Sequence, residues 1–514
     1  MLNKSRIFLL FIVFLCYLSY GTGIHSDEII HTIYVSSWSF EQLLILNYFE
    51  SPLLYMFYNL PVYYLDFFQY YFFGENEIFY EAMKVLVLCF SAYMLYFFAR
   101  DYLSEQKALL LAGIFVLFPL HDSVTYLLQI SQYILITFGL IACSHSLINS
   151  NKMKTGIFIG FMGSFFSYAS PPFVWGLSVI FLIKKEYRKF FFFVLPQIIY
   201  ILYVIILSKF LKLESLRAVD ISNIQNLFKQ FIMQILSFID VAVGPSFWLK
   251  LFYSITEISL LSMLVGIPIV FLLNKYYRFD KEKFNWHLFY AFLSVAVLSF
   301  CMFATTGHYP QTAFNLGNRV VIYSSMLLVL LVVSLMNINK IINIVIISIL
   351  TFSMLGISDH WKSWNKKQKL IAHNFVHNQA ISTFDNSNKL FVSHNQFSKL
   401  GTISHIEYFT EGAGIIHLTK EMNRDINYST LNKRFYLDDN KLIDRKWGTQ
   451  FTVGDHIYVY DSEADNLLKI GKSEIQGYID ALPPDHRHWI QMINNEYVNS
   501  MIIKLMPRLK YAFG

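Results

Sequence analysis

The chain has 514 residues, 55% of them hydrophobic and only 15% charged, with a formal net charge of +6 and a mean hydropathy of +0.43. A soluble protein of this length carries about a quarter charged residues. Here the apolar residues gather into runs near the ~20 residues that cross a bilayer as helix, which excludes a water-soluble enzyme and makes this a polytopic α-helical membrane protein. The basic excess is not a nucleic-acid footprint, because Lys and Arg lie in short clusters between apolar runs, where they report topology. No nucleic-acid partner is expected; membrane lipids are. The four cysteines, Cys16, Cys89, Cys143 and Cys301, all fall inside apolar runs. They offer no disulfide framework or Cys-x-x-Cys metal site and read as small core residues.

Lys4 and Arg6 precede an apolar run from Ile7 to Tyr20. No small-x-small cleavage site follows it, so this is an uncleaved first span. Ten more spans are expected, at about 78–99, 108–120, 124–148, 155–168, 172–183, 190–208, 255–273, 286–303, 319–336 and 341–357. The loops on one side hold fifteen basic residues, among them Lys184, Lys185, Arg188, Lys189, Lys275, Arg278, Lys281 and Lys283. On the other side, the first loop from Ile24 to Glu77 has seven carboxylates and no Lys or Arg. By the positive-inside rule the N-terminus is cytoplasmic, and the first loop and C-terminal region are extracytoplasmic. The stretch 155–183 is interrupted by Ser167-Tyr168-Ala169-Ser170-Pro171-Pro172. It is either a hairpin of two short helices or one bent span, and basic residues at both ends favour the hairpin. Breaks at membrane depth survive only where protein or a water-filled cavity covers the freed backbone.

Two outer loops are more than connectors. The first, about 24–77, is rich in aromatics broken by Pro52 and Pro61, and predicts interfacial helices with rings at headgroup level. The second, about 209–254, holds Arg217 and then an apolar stretch up to Gly244-Pro245, which is either re-entrant or interfacial. The composition changes near His360. Residues 1–357 form the multi-span domain, and 358–514 form an extracytoplasmic α+β domain. In it, Lys389–Ser393, Arg434–Leu437 and His456–Tyr460 read as strands, and Trp361–Gln379 and Tyr497–Leu509 as amphipathic helices.

Polar groups converge on the outer face of this topology. Asp27 and Glu28, between His25 and His31, follow the first span; His121 and Asp122 form the tip between spans three and four; His308, Tyr309 and Arg319 bracket a later outer loop; Arg217 lies in the fourth outer loop, and Lys84 one and a half turns into span two. A charge near hydrocarbon is generally tolerated where it lines a cavity or does chemistry. Transfer from a lipid phosphate needs a carboxylate to take the acceptor's proton and cations to stabilise the leaving phosphate. Arg suits the phosphate because its fork pairs two oxygens. Each residue also has a plain alternative: Asp27 and Glu28 as a helix exit, Arg319 as a snorkelling helix end, His121 and Asp122 as a polar tip, Lys84 as the partner of Glu81, and His25 and His31 as loop histidines. No cluster has a specific metal-ligand spacing, and no Walker loop, nucleotide fingerprint or Gly-x-Ser-x-Gly is present.

A first span ending in Asp27-Glu28, a long outer loop with interfacial helices, about eleven spans and an external C-terminal domain resemble the GT-C superfamily of integral-membrane glycosyltransferases, over residues 1–357. The resemblance implies a bacterial inner-membrane enzyme that takes a sugar from a polyprenyl-phosphate donor, by inversion, to a cell-envelope glycan or lipid acceptor. It implies Asp27, with Glu28 beside it, as the catalytic carboxylate, and Asp122 as a second acid contributing to the site or to a divalent metal; no other cofactor is implied. Arg319, helped by Arg217 or Lys84, is then expected at the donor phosphate, with His121, His308 and Tyr309 lining the substrate site. An O-antigen-type polymerase, a transporter or flippase of lipid-linked sugars, and a non-catalytic assembly factor remain as other readings. The sequence has no Trp-Trp-Asp-Tyr-Gly-like acceptor motif. A reporter active only outside the cytoplasm, fused after Gly514, should work, and one active only inside should be silent; the reverse result would mean that the count of spans is off by one.

Overall fold

The computed structural model describes residues 4–25, 38–44, 59–211, 224–276, 283–306, 309–314, 316–336, 339–385, 387–394, 426–445 and 448–482, with a few isolated positions besides. They fall into two compact units: Met1–Gly23 with Trp38–Asp359, and Ile24–Ser37 with His360–Gly514.

The first unit is helical. Among the described residues eight helices are long and apolar enough to cross a membrane, or nine if a bent pair counts as one span. Seven of them fall on expected spans: Glu77–Ala99, Glu105–Tyr126, Leu128–Asn149, Tyr187–Leu207, Trp286–Thr305, Leu316–Leu335 and Lys340–His377. The expected spans at 7–23, 155–168 and 172–183 are shorter apolar helices, Phe8–Ser19, Met153–Phe166 and Ser170–Ile183. The last two are separate helices. Ser167 is extended between them (φ −153°, ψ 153°), and Pro171 and Pro172 begin the second, where a missing N–H costs no helical bond.

The eighth long helix, Ile224–Val243, lies inside the expected outer loop 209–254. It is amphipathic: Phe228, Leu236, Ile239 and Val243 are exposed while Gln234 and Val241 are buried. The expected span at 255–273 is the second arm of the bent pair, Pro245–Thr256 and Leu260–Lys275, which turns through 110°. Asp359 holds that bend. Its carboxylate accepts the Ser259 N–H at 2.8 Å and the Ser262 hydroxyl at 2.8 Å, satisfying an N–H that would otherwise be an orphan at the start of the second arm. The first arm lies backbone-to-backbone on Lys340–His377 at Gly356, where any Cβ would overlap the Ser254 carbonyl. Similarly, a Cβ on Gly176 would come within 2.7 Å of the Val295 backbone nitrogen, so Ser170–Ile183 and Trp286–Thr306 approach closely because glycine allows it.

In the expected first outer loop, helices Phe40–Leu44 and Leu60–Phe73 are described. Tyr63, Phe67 and Tyr70 of the second are buried in protein, whereas Phe72 and Phe73 are exposed. The expected interfacial ring belt thus splits: one aromatic stripe packs inward and the other remains open.

The second unit contains an α+β fold. Besides the two-residue strands β2 (Gln396–Phe397) and β3 (Ile406–Glu407), which pair antiparallel, a four-stranded sheet has the order β4 (Tyr428–Thr430), β1 (Leu390–Ser393), β8 (His456–Asp461), β9 (Asn466–Gly471). β1 runs parallel to β4 and β8, and β9 antiparallel to β8. β1 is buried along its whole length, as a central parallel strand covered on both faces must be. Phe391, Val459, Ile470, Ile475 and Ile479 share its core. A second sheet of three antiparallel strands, β5 (Phe435–Asp438), β6 (Lys441–Asp444) and β7 (Gln450–Thr452), sits between β4 and β8 in the chain. Arg434 clamps its start, with Nε 2.9 Å from both oxygens of the buried Asp444. The strands expected from sequence lie within a residue of those observed. The Tyr497–Leu509 helix lies for most of its length outside the described residues.

Residues 24–37 belong to this unit. His25 stands edge-on to Trp361 and Trp364, with ring centroids 5.1 and 5.7 Å away, a favoured aromatic geometry. Gln368 donates to the Ile24 carbonyl at 3.0 Å and accepts the Trp364 indole N–H at 3.1 Å.

The bend and the amphipathic helix bear on topology. The expected cytoplasmic cluster Lys275–Lys283 requires an odd number of crossings between residues 208 and 275, so Ile224–Val243 and Leu260–Lys275 cannot both cross. The polar face of Ile224–Val243 suits the interface. A reporter fused after Gly244 should therefore report the extracytoplasmic side and one fused after Asn274 the cytoplasmic side. If the Gly244 fusion reports the cytoplasm, Ile224–Val243 is a span.

Candidate functional site

The 3-10 turn Pro119–His121 and the short helix Asp122–Tyr126 carry Asp122 into the interior of the first unit. There its Oδ1 lies 3.0 Å from Lys250 Nζ, with side chains 2% and 0% exposed respectively. Two buried opposite charges tolerate burial only when paired and further hydrogen-bonded. The further bond comes from the Asn318 side-chain amide, which donates to the same Oδ1. The Asn318 oxygen in turn accepts the Ser123 N–H at 3.2 Å and the Ser123 hydroxyl. Lys250 also lies 5.1 Å from the centroid of the Phe314 ring, a cation–π distance. Next door, the Ser325 hydroxyl donates to the Val321 carbonyl at 2.9 Å. Its oxygen also lies 2.9 Å from His121 Nδ1. Asp122, His121, Lys250, Ser123, Asn318 and Ser325 thus form one buried polar cluster that ties Pro119–Tyr126, Pro245–Thr256 and Leu316–Leu335 together.

Arg319 follows Asn318 in the 3-10 turn Leu316–Val321. It is half-buried, its guanidinium 5.9 Å from the Tyr309 ring centroid. Among the described residues it pairs with no carboxylate. The Tyr309 segment is anchored through its backbone: Gln234 of the amphipathic helix donates to the Tyr309 carbonyl at 2.9 Å, and Gln311 donates to Gln234 at 3.0 Å. The Gln311 oxygen is buried without a hydrogen-bond partner.

The other expected residues are placed differently. Lys84 is fully buried; its ammonium donates to the Gly23 carbonyl and lies 3.4 Å from the Thr22 hydroxyl. Glu81 accepts the N–H groups of Gly21 at 2.8 Å and Gly23 at 3.1 Å. Both glycines have positive φ, 80° and 67°, a region other residues rarely adopt. Glu81 and Lys84 therefore grip the turn that ends the first helix, each from its own side of the peptide dipoles. Glu28 is buried, and its carboxylate accepts the His25 N–H at 2.9 Å. Asp27, His31, Arg217 and His308 lie outside the described residues.

The structure brings together Asp122 with His121 and, through adjacent residues of one turn, Arg319 with Tyr309. Sequence reasoning missed Lys250, Asn318, Gln234 and Gln311. A lone lysine in the apolar stretch Pro245–Thr256 was the available signal, since an unpaired charge there would be costly. Asp122 Oδ1 already receives an ammonium and an amide N–H. Among the described residues no group of three His, Cys, Asp or Glu side chains could hold a metal ion.

The chain matches no protein-family model and no curated protein. A solved structure similar to it is that of ArnT from Cupriavidus metallidurans bound to undecaprenyl phosphate, at 10% identity and a TM-score of 0.40, covering 82% of this chain and 85% of that one.

The Asp122–Lys250 pair yields a stability prediction. Lys250→Met strands a buried carboxylate and should cost about 3–5 kcal/mol, read as a lowered melting temperature in detergent. Asp122→Asn combined with Lys250→Met removes both charges and should recover most of that loss. If the single and double variants melt alike, the charges are not coupled.

Proposed function

We propose that the chain is a membrane glycosyltransferase of GT-C type that moves a sugar from a lipid-phosphate-linked donor to a cell-envelope glycan or lipid on the extracytoplasmic face. The observation that carries this reading is Arg319. It is a half-buried guanidinium set against a tyrosine ring, with no carboxylate partner among the described residues. A cation kept partly out of water without an acid calls for an anion from outside the chain, and a guanidinium fork matches a phosphate bidentately.

Each part of the machinery has a physical role in this reading. Arg319 holds the donor phosphate and stabilises the negative charge that grows on it as the glycosidic bond breaks. Tyr309 lines the sugar side of the guanidinium. Asn318, locked by Asp122 and Ser123, fixes the turn on which Arg319 stands, so that Asp122 acts as a positioning residue. The acceptor hydroxyl loses its proton to Asp27, which follows the first helix in a loop without any Lys or Arg. Glu28 orders the backbone beside it by receiving the His25 N–H. The acceptor oxygen attacks the anomeric carbon opposite the departing phosphate, which inverts that centre and releases polyprenyl phosphate. A flippase would instead move the intact lipid-linked sugar without releasing free polyprenyl phosphate.

The experiment uses the purified full chain in proteoliposomes with a panel of polyprenyl-phosphate sugars, reading release of polyprenyl phosphate. Asp27→Asn keeps the shape and removes the base, and should abolish release while the protein still inserts. Arg319→Lys keeps the charge and removes the fork, and should raise the donor KM about tenfold or more. Full turnover by Asp27→Asn removes the base assignment. A parental KM in Arg319→Lys makes that residue an interfacial anchor.

A further inference from the structure

The sheet of the second unit has a feature that the transferase reading does not use. β1 and β8 are adjacent and parallel, so their carboxyl ends lie side by side, and ligands of open α/β sheets bind outside the carboxyl ends of the strands. Two titratable side chains stand at that point. His394 is the first residue after β1, and Asp461 is the last residue of β8.

They form a dyad. His394 Nδ1 lies 3.2 Å from Asp461 Oδ2, with side chains 22% and 16% exposed. Asp461 is itself held, because its Oδ1 accepts the N–H groups of Glu463 at 3.0 Å and Ala464 at 3.1 Å. On the other flank the Ser393 hydroxyl lies 2.7 Å from the Tyr478 hydroxyl and 3.4 Å from His394 Nδ1. The Ser462 hydroxyl and N–H both donate to the Ser393 carbonyl, which fastens the two strand ends together. His394 adopts φ +52°, a conformation uncommon for a non-glycine residue. The chain therefore accepts a disfavoured backbone at the residue that places the imidazole beside Asp461.

The chemistry of the cluster selects its ligand. Asp461 accepts from Nδ1, so a ring with a single proton holds it there and carries its lone pair on Nε2; among the described residues Nε2 has no partner. Both nearby oxygens of Ser393 and Tyr478 are hydroxyls that donate or accept. Asp461 pairs with no Lys or Arg among the described residues, and a carboxylate at the centre repels an anion. A serine nucleophile is also excluded by geometry, since Ser393 and Asp461 both face Nδ1 and neither faces Nε2, where a general base would need its hydroxyl.

We propose that the side-chain cluster at the carboxyl ends of β1 and β8 is a binding site for a neutral, polyhydroxylated ligand, a glycan, with one sugar hydroxyl donating to His394 Nε2 and others meeting Tyr478 and Ser393. Its assignment as a docking site for the acceptor glycan rests on the transferase reading; the binding chemistry itself does not.

The test is binding of the full-length protein in detergent to an array of immobilised neutral and acidic oligosaccharides, with melting temperatures measured alongside. The parent should bind at least one neutral glycan. His394→Asn places a residue that tolerates positive φ and removes Nε2; it should lose about fivefold or more in affinity, the worth of one hydrogen bond, with its melting temperature kept. Tyr478→Phe should weaken the same glycan. If His394→Asn does not fold, Asp461→Asn answers instead, because its amide oxygen still accepts the Glu463 and Ala464 N–H groups while the charge holding the imidazole is gone. Binding to acidic glycans alone, to none, or equally by parent and dyad variants overturns the proposal. Polyprenyl phosphate release in the same preparations separates the two readings. Release without dyad-dependent binding removes only this site, and dyad-dependent binding without release removes only the transferase.

Discussion

Asp122 and Lys250 meet across 128 positions of chain with almost no exposure to solvent. Burying either charge alone would cost several kcal/mol, so the two segments that carry them cannot separate without exposing or stranding an ion. That constraint propagates. Because Asn318 joins the same carboxylate and also holds Ser123, the turn Leu316–Val321 has one register against Pro119–Tyr126. Arg319, one residue on, inherits its position from that lock. The half-buried guanidinium is therefore placed by the chain's own contacts; under the proposed function, that is the condition under which an electrostatic contact favours a transition state without reorganisation.

A second constraint acts at the end of the first helix. Gly21 and Gly23 turn the chain through positive φ, and their amides and carbonyl are gripped by Glu81 and Lys84. A lysine fixed this way has given its charge to a backbone carbonyl. Immediately afterwards, His25 enters the second unit and stacks its edge on two tryptophans. In the chain the acidic pair follows both the clamped turn and the aromatic anchor.

The second unit repeats the pattern on a different scaffold. Its sheet fastens two strand ends through Ser462 and Ser393, and the backbone at His394 is bent into an uncommon region to project an imidazole beside Asp461. In both units polar groups sit where local geometry is least forgiving, at a helix end, a 3-10 turn and the carboxyl edge of parallel strands. These are the places where backbone N–H and C=O groups run out of regular partners and side chains must supply them.

The sequence by itself determined what depends on local pattern. Runs of apolar residues near bilayer length gave most of the long helices, charge clusters gave the expected orientation, and short apolar alternation located strands β1, β5 and β8 within a residue. The amphipathic helix Ile224–Val243 was legible as a re-entrant or interfacial stretch and not as a span, because its polar residues lower its mean hydropathy below that of its neighbours. Only the tertiary structure decided which polar residues share a site. Lys250 meets Asp122, and Asn318 meets the same carboxylate from 196 positions away. His394 meets Asp461 only because two distant strands run parallel in one register, and residues 24–37 join the C-terminal unit rather than the helices that flank them. Helix periods are set by neighbours three or four residues apart and strand periods by neighbours two apart. Ion pairs and dyads are set by which segments the core brings together, and no local pattern encodes that.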